Sequence, residues 1–224
     1  MIEIQHISKK YGRHRILNDI SFTISPGECI GIVGANGSGK TTLLSIISGM
    51  NKADKGNILA DGKIISNSSK LLSKYISYVP QENPLISELT AMDNLRLWYS
   101  GTKKELEEEL QNGILKLLGI DTFIHKTVSK MSGGMKKRLS IGIALLEKPA
   151  LLIMDEPSAA LDLSGKYNIK EYMKHYTTKM NGSILVVSHD QNELSICNKL
   201  FLLKDGNLTQ IPTNMTDDAL VKLL

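Results

Sequence analysis

The sequence predicts an α/β fold: a mostly parallel sheet, helices on both faces and a helical insertion between about residues 81 and 145. Apolar, β-branched runs of strand length alternate with segments of helical periodicity. One such run leads through a glycine-rich turn into a helical segment. In the middle of the chain, apolar residues recur at the spacing of a helix. The chain has 224 residues, with no repeat or linker-like stretch, so we expect a single domain over residues 1–224.

The first third of the chain is predicted to consist mainly of strands. A half-buried strand is indicated by apolar residues that mostly follow a period of two: Ile16, Ile20, Phe22 and Ile24. Residues 29–33 are an apolar run that ends in glycines, which is typical of a buried strand. Residues 57–60 and 63–65 predict a hairpin, because Asp61-Gly62 is a favourable two-residue turn.

The middle of the chain is predicted to be helical, and the last third alternates again. Residues 89–99 and 103–118 carry apolar residues at helical spacing, and a third helix is expected after Gly133-Gly134. The predicted elements of the last third are a strand over 151–154, a helix from about Ser164, a strand over 184–188, and a helix followed by a strand that ends at Lys204.

Composition excludes several classes of protein. Hydrophobic residues at 42% and charged residues at 22% are ordinary for a globular protein, and no apolar run approaches the ~20 residues of a membrane helix. Polar residues near the start interrupt the apolar stretch that a signal peptide needs, so we expect a cytosolic protein with Cys29 and Cys197 as reduced, partly buried thiols. The net charge of +4 and the short basic cluster 136–138 do not indicate nucleic-acid binding.

A phosphate-binding motif follows the strand predicted over 29–33. Eight consecutive residues fit G-x-x-x-x-G-K-[ST] without a mismatch: Gly34, Ala35, Asn36, Gly37, Ser38, Gly39, Lys40 and Thr41. The glycines allow backbone N–H groups and the helix N-terminus to face an anion. We expect Lys40 to neutralise the β- and γ-phosphates, Thr41 to ligate Mg²⁺ and Thr42 to complete the ATP contacts. The alternative is an ordinary glycine-rich turn with a solvated lysine.

Two acidic residues end the strand predicted over 151–154. Because open α/β sheets bind ligands at the carboxyl ends of their strands, Asp155 is expected in the magnesium shell. Glu156 is expected to orient or deprotonate the attacking water. The alternative is a solvated strand end.

The chain resembles the nucleotide-binding subunit of an ATP-binding cassette (ABC) transporter from about residue 2 to 208. Beyond the motifs above, five segments stand in the family's order: Tyr11, Tyr78-Val79-Pro80-Gln81, Ser132-Gly133-Gly134, Ala160-Leu161-Asp162 and Ser188-His189-Asp190. The resemblance implies a P-loop NTPase (RecA-like) core, an N-terminal antiparallel β subdomain and an inserted α-helical subdomain. It also implies ATP hydrolysis coupled to transport, with ATP and Mg²⁺ as cofactors.

The resemblance implies a role for each of these segments. Gln81 is expected to bridge the metal, the water and neighbouring helices, and His189 to hold the γ-phosphate and Glu156. Ser132-Gly133-Gly134 corresponds to the family's signature segment, and Ala160-Leu161-Asp162 to its aspartate segment. ATP held by an opposing ABC subunit would meet these two segments at Ser132, Gly133, Gly134 and Asp162. Tyr11 would stack on adenine. The alternatives are a loop glutamine, a structural histidine, helix capping and packing of Tyr11 on its strand.

The signature departs from the commonest form, Leu-Ser-Gly-Gly-Gln, because Met131 and Met135 flank Ser132 to Gly134. The Ser-Gly-Gly-Met sequence with basic residues after it resembles cassettes of two-component bacterial (ABC-2-type) exporters. We therefore expect a second ABC subunit, an integral membrane permease and a location at the inner face of the membrane. Trp98 and Tyr99 either face that permease or pack the helical subdomain. The alternative function is a soluble ABC ATPase of assembly or repair.

Overall fold

The computed structural model describes residues 1–159 and 161–223, so Ala160 of the predicted aspartate segment and Leu224 lie outside the described residues. The strands are β1 Ile2–Tyr11, β2 His14–Ile24, β3 Cys29–Val33, β4 Lys55–Ala60, β5 Lys63–Ile64, β6 Ile76–Val79, β7 Leu151–Asp155, β8 Ser183–Val187, β9 Lys199–Lys204 and β10 Asn207–Ile211. The helices are α1 Lys40–Ile47, α2 Ser69–Tyr75, α3 Ala91–Trp98, α4 Lys103–Gln111, α5 Ile114–Leu117, α6 Gly133–Leu145, α7 Leu163–Lys179, α8 Gln191–Leu194 and α9 Asp217–Leu223.

The N-terminal sheet is antiparallel, with strand order β2-β1-β4-β5. The predicted hairpin is confirmed, with Asp61 and Gly62 at φ 48° and 74° in the turn between β4 and β5. The period in β2 is broken, however. Leu17 is buried and Ile16 only partly so, because the β1–β2 register shifts near Asp19, which has a φ of 57°.

The second sheet has the order β10-β9-β3-β8-β7-β6. The pairs from β9 to β6 are parallel, and β10 is an antiparallel edge. Every residue of β3, β7 and β8 is buried, which explains why these strands were predictable as continuous apolar runs. The predictions did not include β6, which has four residues, or β10, which alternates weakly at the edge. The predicted α/β class with a mostly parallel sheet is confirmed.

The helices between Ala91 and Leu145 pack around one apolar cluster that includes Leu95, Leu115 and Leu139. The helix predicted over 103–118 is divided into α4 and α5. At the break, the N–H of Ile114 donates to the Glu109 carboxylate at 2.8 Å instead of continuing the helical ladder. Among the described residues, no helix has both the length and the apolar character needed to span a bilayer.

The two cysteines meet in the core. Their sulfur atoms are 3.5 Å apart, although Cys29 lies in β3 and Cys197 follows α8. Both thiols are free, and both are buried rather than partly buried as expected. The hydrogen bond with Cys197, together with burial, raises the pKa of the Cys29 thiol well above its usual value. Such thiols pack as small apolar groups.

The parallel strands place the candidate site at the edge of the second sheet that is formed by the carboxyl ends of its strands, not at an edge strand. β3, β7 and β8 run in the same direction as neighbours, so their carboxyl ends lie side by side. Residues 34–41 follow β3, Asp155 ends β7 and Glu156 comes directly after it, and residues 188–189 follow β8. Segments that are more than a hundred residues apart in the chain therefore converge at this edge.

Candidate active site

The phosphate loop connects β3 to α1, and its backbone depends on glycine. Gly37 and Gly39 have φ values of 80° and 104°, in the left-handed region that other residues rarely adopt. A Cβ atom on Gly34 would lie 2.5 Å from the carbonyl oxygen of Leu203. The buried hydroxyl of Ser38 has no hydrogen-bond partner among the described residues. The loop thus offers an unused donor beside the N-terminus of α1, as a phosphate site requires.

Lys40 closes over this loop. Its ammonium group donates to the carbonyl oxygens of Gly34 at 2.6 Å and Ala35 at 3.0 Å. Burial lowers the pKa of Lys40, and the nearby carboxylates of Glu156 and Asp155 oppose that shift. The lysine is therefore held at the phosphate loop, with Asp155 at the end of β7 and Glu156 after it near enough to act on its charge.

Asp155 is the last residue of β7, and its buried carboxylate accepts hydrogen bonds from two hydroxyl groups. Thr41 Oγ1 lies 3.3 Å and the Tyr78 hydroxyl 3.2 Å from the same oxygen, Asp155 Oδ2. Burial raises the pKa of Tyr78, and the Asp155 carboxylate raises it further, so the hydroxyl remains a donor. Tyr78 belongs to one of the segments that resemble the family, but no role was predicted for it. The signal that could have indicated its role is the alternation of side chains along β6, which directs Tyr78 and Ser77 to opposite sides of the sheet.

The residues at this point fit a magnesium ion bound together with a nucleotide. Mg²⁺ prefers oxygen ligands and in phosphate-transfer sites takes one or two from the protein and the rest from phosphates and water. The Thr41 hydroxyl and the Asp155 carboxylate supply oxygen donors next to the phosphate loop. Within the described ranges, His, Cys, Asp and Glu form no cluster of three that would hold a metal alone.

Glu156, Gln81 and His189 meet, as their predicted roles require. Gln81 Nε2 donates to Glu156 Oε2 at 3.1 Å, and His189 Nε2 lies 3.8 Å from Glu156 Oε1. Glu156 has a φ of 44°, and its N–H donates to the carbonyl oxygen of Val187 at 2.8 Å. This left-handed backbone is strained for a glutamate, and such strain concentrates at functional sites. Gln81, expected near the metal as well, contacts Glu156 rather than Asp155.

A buried lysine lies behind Gln81. Lys137 of α6 is 2% exposed, and its ammonium group donates to the carbonyl oxygens of Pro80 at 2.9 Å and Gln81 at 3.0 Å. Burial lowers the pKa of Lys137 to about 8. In the sequence it was only part of a basic cluster. The available signal was its spacing: it precedes buried Ile141 by four residues and so lies on the inner face of the helix.

A second buried charge is Glu193 of α8, whose carboxylate is near enough to act on the charge of Lys137. It is 1% exposed, and neither carboxylate oxygen has a hydrogen-bond partner within the described part of the chain. Burial raises its pKa. Glu193 lines a cleft together with Glu156, His189 and Ser158. The burial of Glu193 could not be predicted from the sequence, because a single glutamate in a polar helix carries no pattern that indicates burial.

The signature and aspartate segments lie at a separate cleft. Ser132 caps α6 by accepting the N–H of Met135 at 3.3 Å, and Asp162 caps α7 by accepting the N–H of Gly165 at 2.7 Å. Ser132 to Gly134 and Asp162 line this cleft together, and no residue of 34–42 contributes to its lining. The structure therefore brings these two predicted segments to each other, but not to the phosphate loop of the same chain.

The remaining aromatic predictions have different outcomes. Tyr11 is 49% exposed; its hydroxyl accepts a hydrogen bond from Asn51 at 2.6 Å, and its ring lies under the Lys9 ammonium group. Trp98 is 57% exposed, whereas Tyr99 packs against the apolar cluster of the helical region. Tyr99 is thus a packing residue, and Trp98 presents its ring at the surface.

Known proteins are similar to this chain in sequence. The profile of the family described as ABC transporter matches residues 17–159. The linearmycin resistance ATP-binding protein LnrL of Bacillus subtilis (strain 168) is 35% identical over 217 residues, which cover 95% of this chain and 69% of that protein. The sulfate/thiosulfate import ATP-binding protein CysA of Bacillus cereus (strain ATCC 10987 / NRS 248) is 31% identical, over 95% of this chain and 61% of its own length.

A solved structure is similar over nearly the same span. The ATP-binding cassette MJ0796, in a dimeric post-hydrolysis state bound to ADP and Pi, superposes with a TM-score of 0.81 at 27% identity. The match covers 95% of this chain and 99% of that one. The profile match and these similarities agree with the convergence of the phosphate loop, Asp155 and Glu156 at one sheet edge. The chain belongs to the ABC transporter family and is an ATP-binding subunit with the family's ATPase fold.

Proposed function

We propose that this chain hydrolyses ATP at the edge where β3, β7 and β8 end, with Glu156 as the residue that activates water. The observation that carries the proposal is the meeting of Gln81, Glu156 and His189 beside the phosphate loop. The loop's N–H groups, the Ser38 hydroxyl and Lys40 would bind the phosphates, and Tyr11 would stack on the adenine.

In this mechanism the attacking water lies between Glu156 and the γ-phosphate. Glu156 accepts its proton as the water oxygen bonds to phosphorus and the bond to the leaving ADP oxygen breaks. Gln81 and His189, which flank the two carboxylate oxygens of Glu156, orient the water and the γ-phosphate. Thr41 and Asp155 would hold Mg²⁺, which would neutralise charge on the phosphates.

The signature cleft is proposed to act on a nucleotide held by a second ABC subunit. Ser132 and Gly133 are exposed at the N-terminus of α6, where backbone N–H groups attract phosphate. Because the phosphate loop of the same chain is not part of that cleft, ATP from an opposing subunit would fill it. ATP binding then closes the dimer, and hydrolysis reopens it. The dimeric state of MJ0796 supports this arrangement.

The dimer is proposed to drive an integral membrane permease, as the ATPase of a two-component exporter. Exposed apolar side chains on and before α3, Ile86, Leu97 and Trp98, would contact that permease. The proposal of export rests on Met135 and the basic residues after it, because relatives of similar identity include both LnrL, named for resistance, and CysA, named for import. The chain would act as one ABC ATPase domain with its helical subdomain at about 81–145, on the cytoplasmic face of the cell membrane.

Glu156→Gln tests the assignment of the catalytic base. The amide is isosteric with the carboxylate but cannot accept a proton, so ATP binding should persist while turnover falls by a factor on the order of 10² or more. ATP binding is measured by titration, hydrolysis by phosphate release, and the ATP-bound dimer by size exclusion. Lys40→Ala is the contrasting variant, because it should lose ATP affinity itself. Turnover at the wild-type rate in Glu156→Gln contradicts the assignment.

Tyr78→Phe tests whether the tyrosine hydroxyl orients Asp155 for magnesium. Removing this donor leaves Asp155 Oδ2 with Thr41 alone, so the Mg²⁺ concentration needed for half-maximal ATP binding should rise about three- to tenfold. Affinity for ATP in the absence of metal should not change. Tyr172→Phe is a matched control, because the buried Tyr172 hydroxyl has no partner in residues 1–159 and 161–223. An equal Mg²⁺ requirement in both variants rules out the role.

Heterodimers test whether the signature cleft serves the partner's nucleotide. With Lys40→Ala in one chain and Ser132→Arg in the other, both changes fall in one composite site, and the second site remains intact. Placing both changes in one chain damages both sites, because arginine blocks the N-terminus of α6. ATP-dependent dimer closure should therefore persist only in the first arrangement. Closure is measured by cross-linking of the two chains. Equal closure in the two arrangements contradicts a shared site.

Purification from detergent-solubilised membranes tests the membrane partner. The wild-type chain should be recovered with an integral membrane protein, and Trp98→Asp should reduce that recovery severalfold because a charge disrupts an apolar contact. Met180→Asp, at an exposed apolar residue at the end of α7, is the control and should not reduce it. Recovery with a soluble scaffold in place of a membrane protein would support the alternative, a non-transport ABC ATPase.

A further inference from the structure

Lys137 is a cation in the interior whose ammonium group makes no ion pair within 4 Å among the described residues; the carboxylates of Asp155 and Glu193 act on its charge only from farther away. Its partners are the two backbone carbonyl oxygens of Pro80 and Gln81. Transferring an ammonium group from water to the interior costs several kcal/mol, and an apolar side chain of similar length would avoid that cost. The position of this lysine therefore calls for an explanation other than packing.

The two carbonyl groups belong to the loop that carries Gln81. This loop, residues 80–82, follows β6 and is named here the glutamine loop. The side chain of Gln81 is exposed and reaches forward to Glu156 at 3.1 Å, while its carbonyl oxygen is held from behind by Lys137 at 3.0 Å. Lys137 thus restrains the backbone from which the Glu156 contact is made.

The other end of the contact is the helix of the signature segment. Lys137 lies in the second turn of α6, whose first turn begins at the Ser132 cap and presents Gly133 and Gly134 to the signature cleft. A helix moves as a stiff body over so few residues. A displacement of Ser132 is therefore transmitted to Lys137, and from its ammonium group to the backbone at Gln81.

We propose that Lys137 is a positioning residue that locks the glutamine loop to α6, so that the signature segment and Gln81 move as one unit. Under the proposed function, on which this inference rests, the signature binds the partner's ATP and Gln81 serves the chain's own. Lys137 then connects the two nucleotide sites of the dimer, because a movement of the signature segment on one ATP also moves the backbone that holds Gln81 against Glu156 at the other.

The lock is tested first without nucleotide, by the mobility of the loop. A nitroxide on Glu82→Cys reports on the glutamine loop, and it is selective because Cys29 and Cys197 are buried. Lys137→Met keeps the aliphatic stem but removes the N–H donors, so the probe should become more mobile. Lys137→Arg keeps charge and donors and should restore the restrained spectrum. The same nitroxide on Lys174→Cys, exposed in α7, should not respond to either change.

The second measurement divides binding from turnover. Because Lys137 acts on Gln81 and not on the phosphate loop, Lys137→Met should leave the Kd for MgATP within about twofold of wild type and lower kcat by about tenfold or more. Lys137→Arg should recover most of kcat. Lys136→Met is the matched control: this neighbouring lysine is only partly buried, and it should change neither the nitroxide spectrum nor kcat.

The outcomes separate the lock from the proposed function. Unchanged loop mobility in Lys137→Met overturns the lock, whatever happens to hydrolysis. Increased mobility with an unchanged kcat overturns the positioning role, and a fall in kcat that Lys137→Arg does not relieve overturns it as well. A wild-type chain that binds but does not hydrolyse ATP overturns the proposed function, while the mobility result still tests the lock. If thermal unfolding finds Lys137→Met unfolded, Lys137→Gln replaces it, with partial loss of restraint expected.

Discussion

Parallel pairing of β3, β8 and β7 is the constraint on which the candidate site depends. In this register Asp155 is opposite Val187, and the carbonyl oxygen of Val187 accepts the N–H of Glu156. Glu156 adopts its left-handed backbone at that point, which directs its carboxylate toward Gln81 and His189. A shift of one residue in the pairing would send every side chain of β7 to the opposite face of the sheet and remove this geometry.

Buried ionisable side chains, which make folding less favourable, are concentrated near the carboxyl ends of these strands. Lys40, Lys137 and Glu193 are buried, and burial shifts the pKa of each toward its neutral form. Elsewhere the described interior is predominantly apolar, with residues such as Leu152 and Leu185 fully covered. The favourable burial of that core offsets the cost of charges held near the phosphate loop and the glutamine loop. The apolar core thus stabilises the fold, whereas the charges buried near the carboxyl ends of the strands destabilise it.

The two helix caps have a double use in this arrangement. The side chains of Ser132 and Asp162 each satisfy an N–H of their own helix, which fixes where α6 and α7 begin. The same caps leave the signature and aspartate segments together at one exposed cleft. Capping and nucleotide contact, which compete as explanations when only the sequence is considered, are therefore compatible in this fold.

Those elements and site residues that depend on a local pattern could be predicted from the amino-acid sequence. The buried strands β3, β7 and β8, the phosphate loop, and Asp155 with Glu156 were predictable because apolar runs and glycine spacing are local properties. Which distant side chains meet, in contrast, became clear only from the folded chain. The Tyr78 contact with Asp155 and the Lys137 contact with the glutamine loop join residues far apart in the chain, and the burial of Glu193 depends on what surrounds α8. No local periodicity encodes such contacts, because they are set by the packing of whole elements against one another.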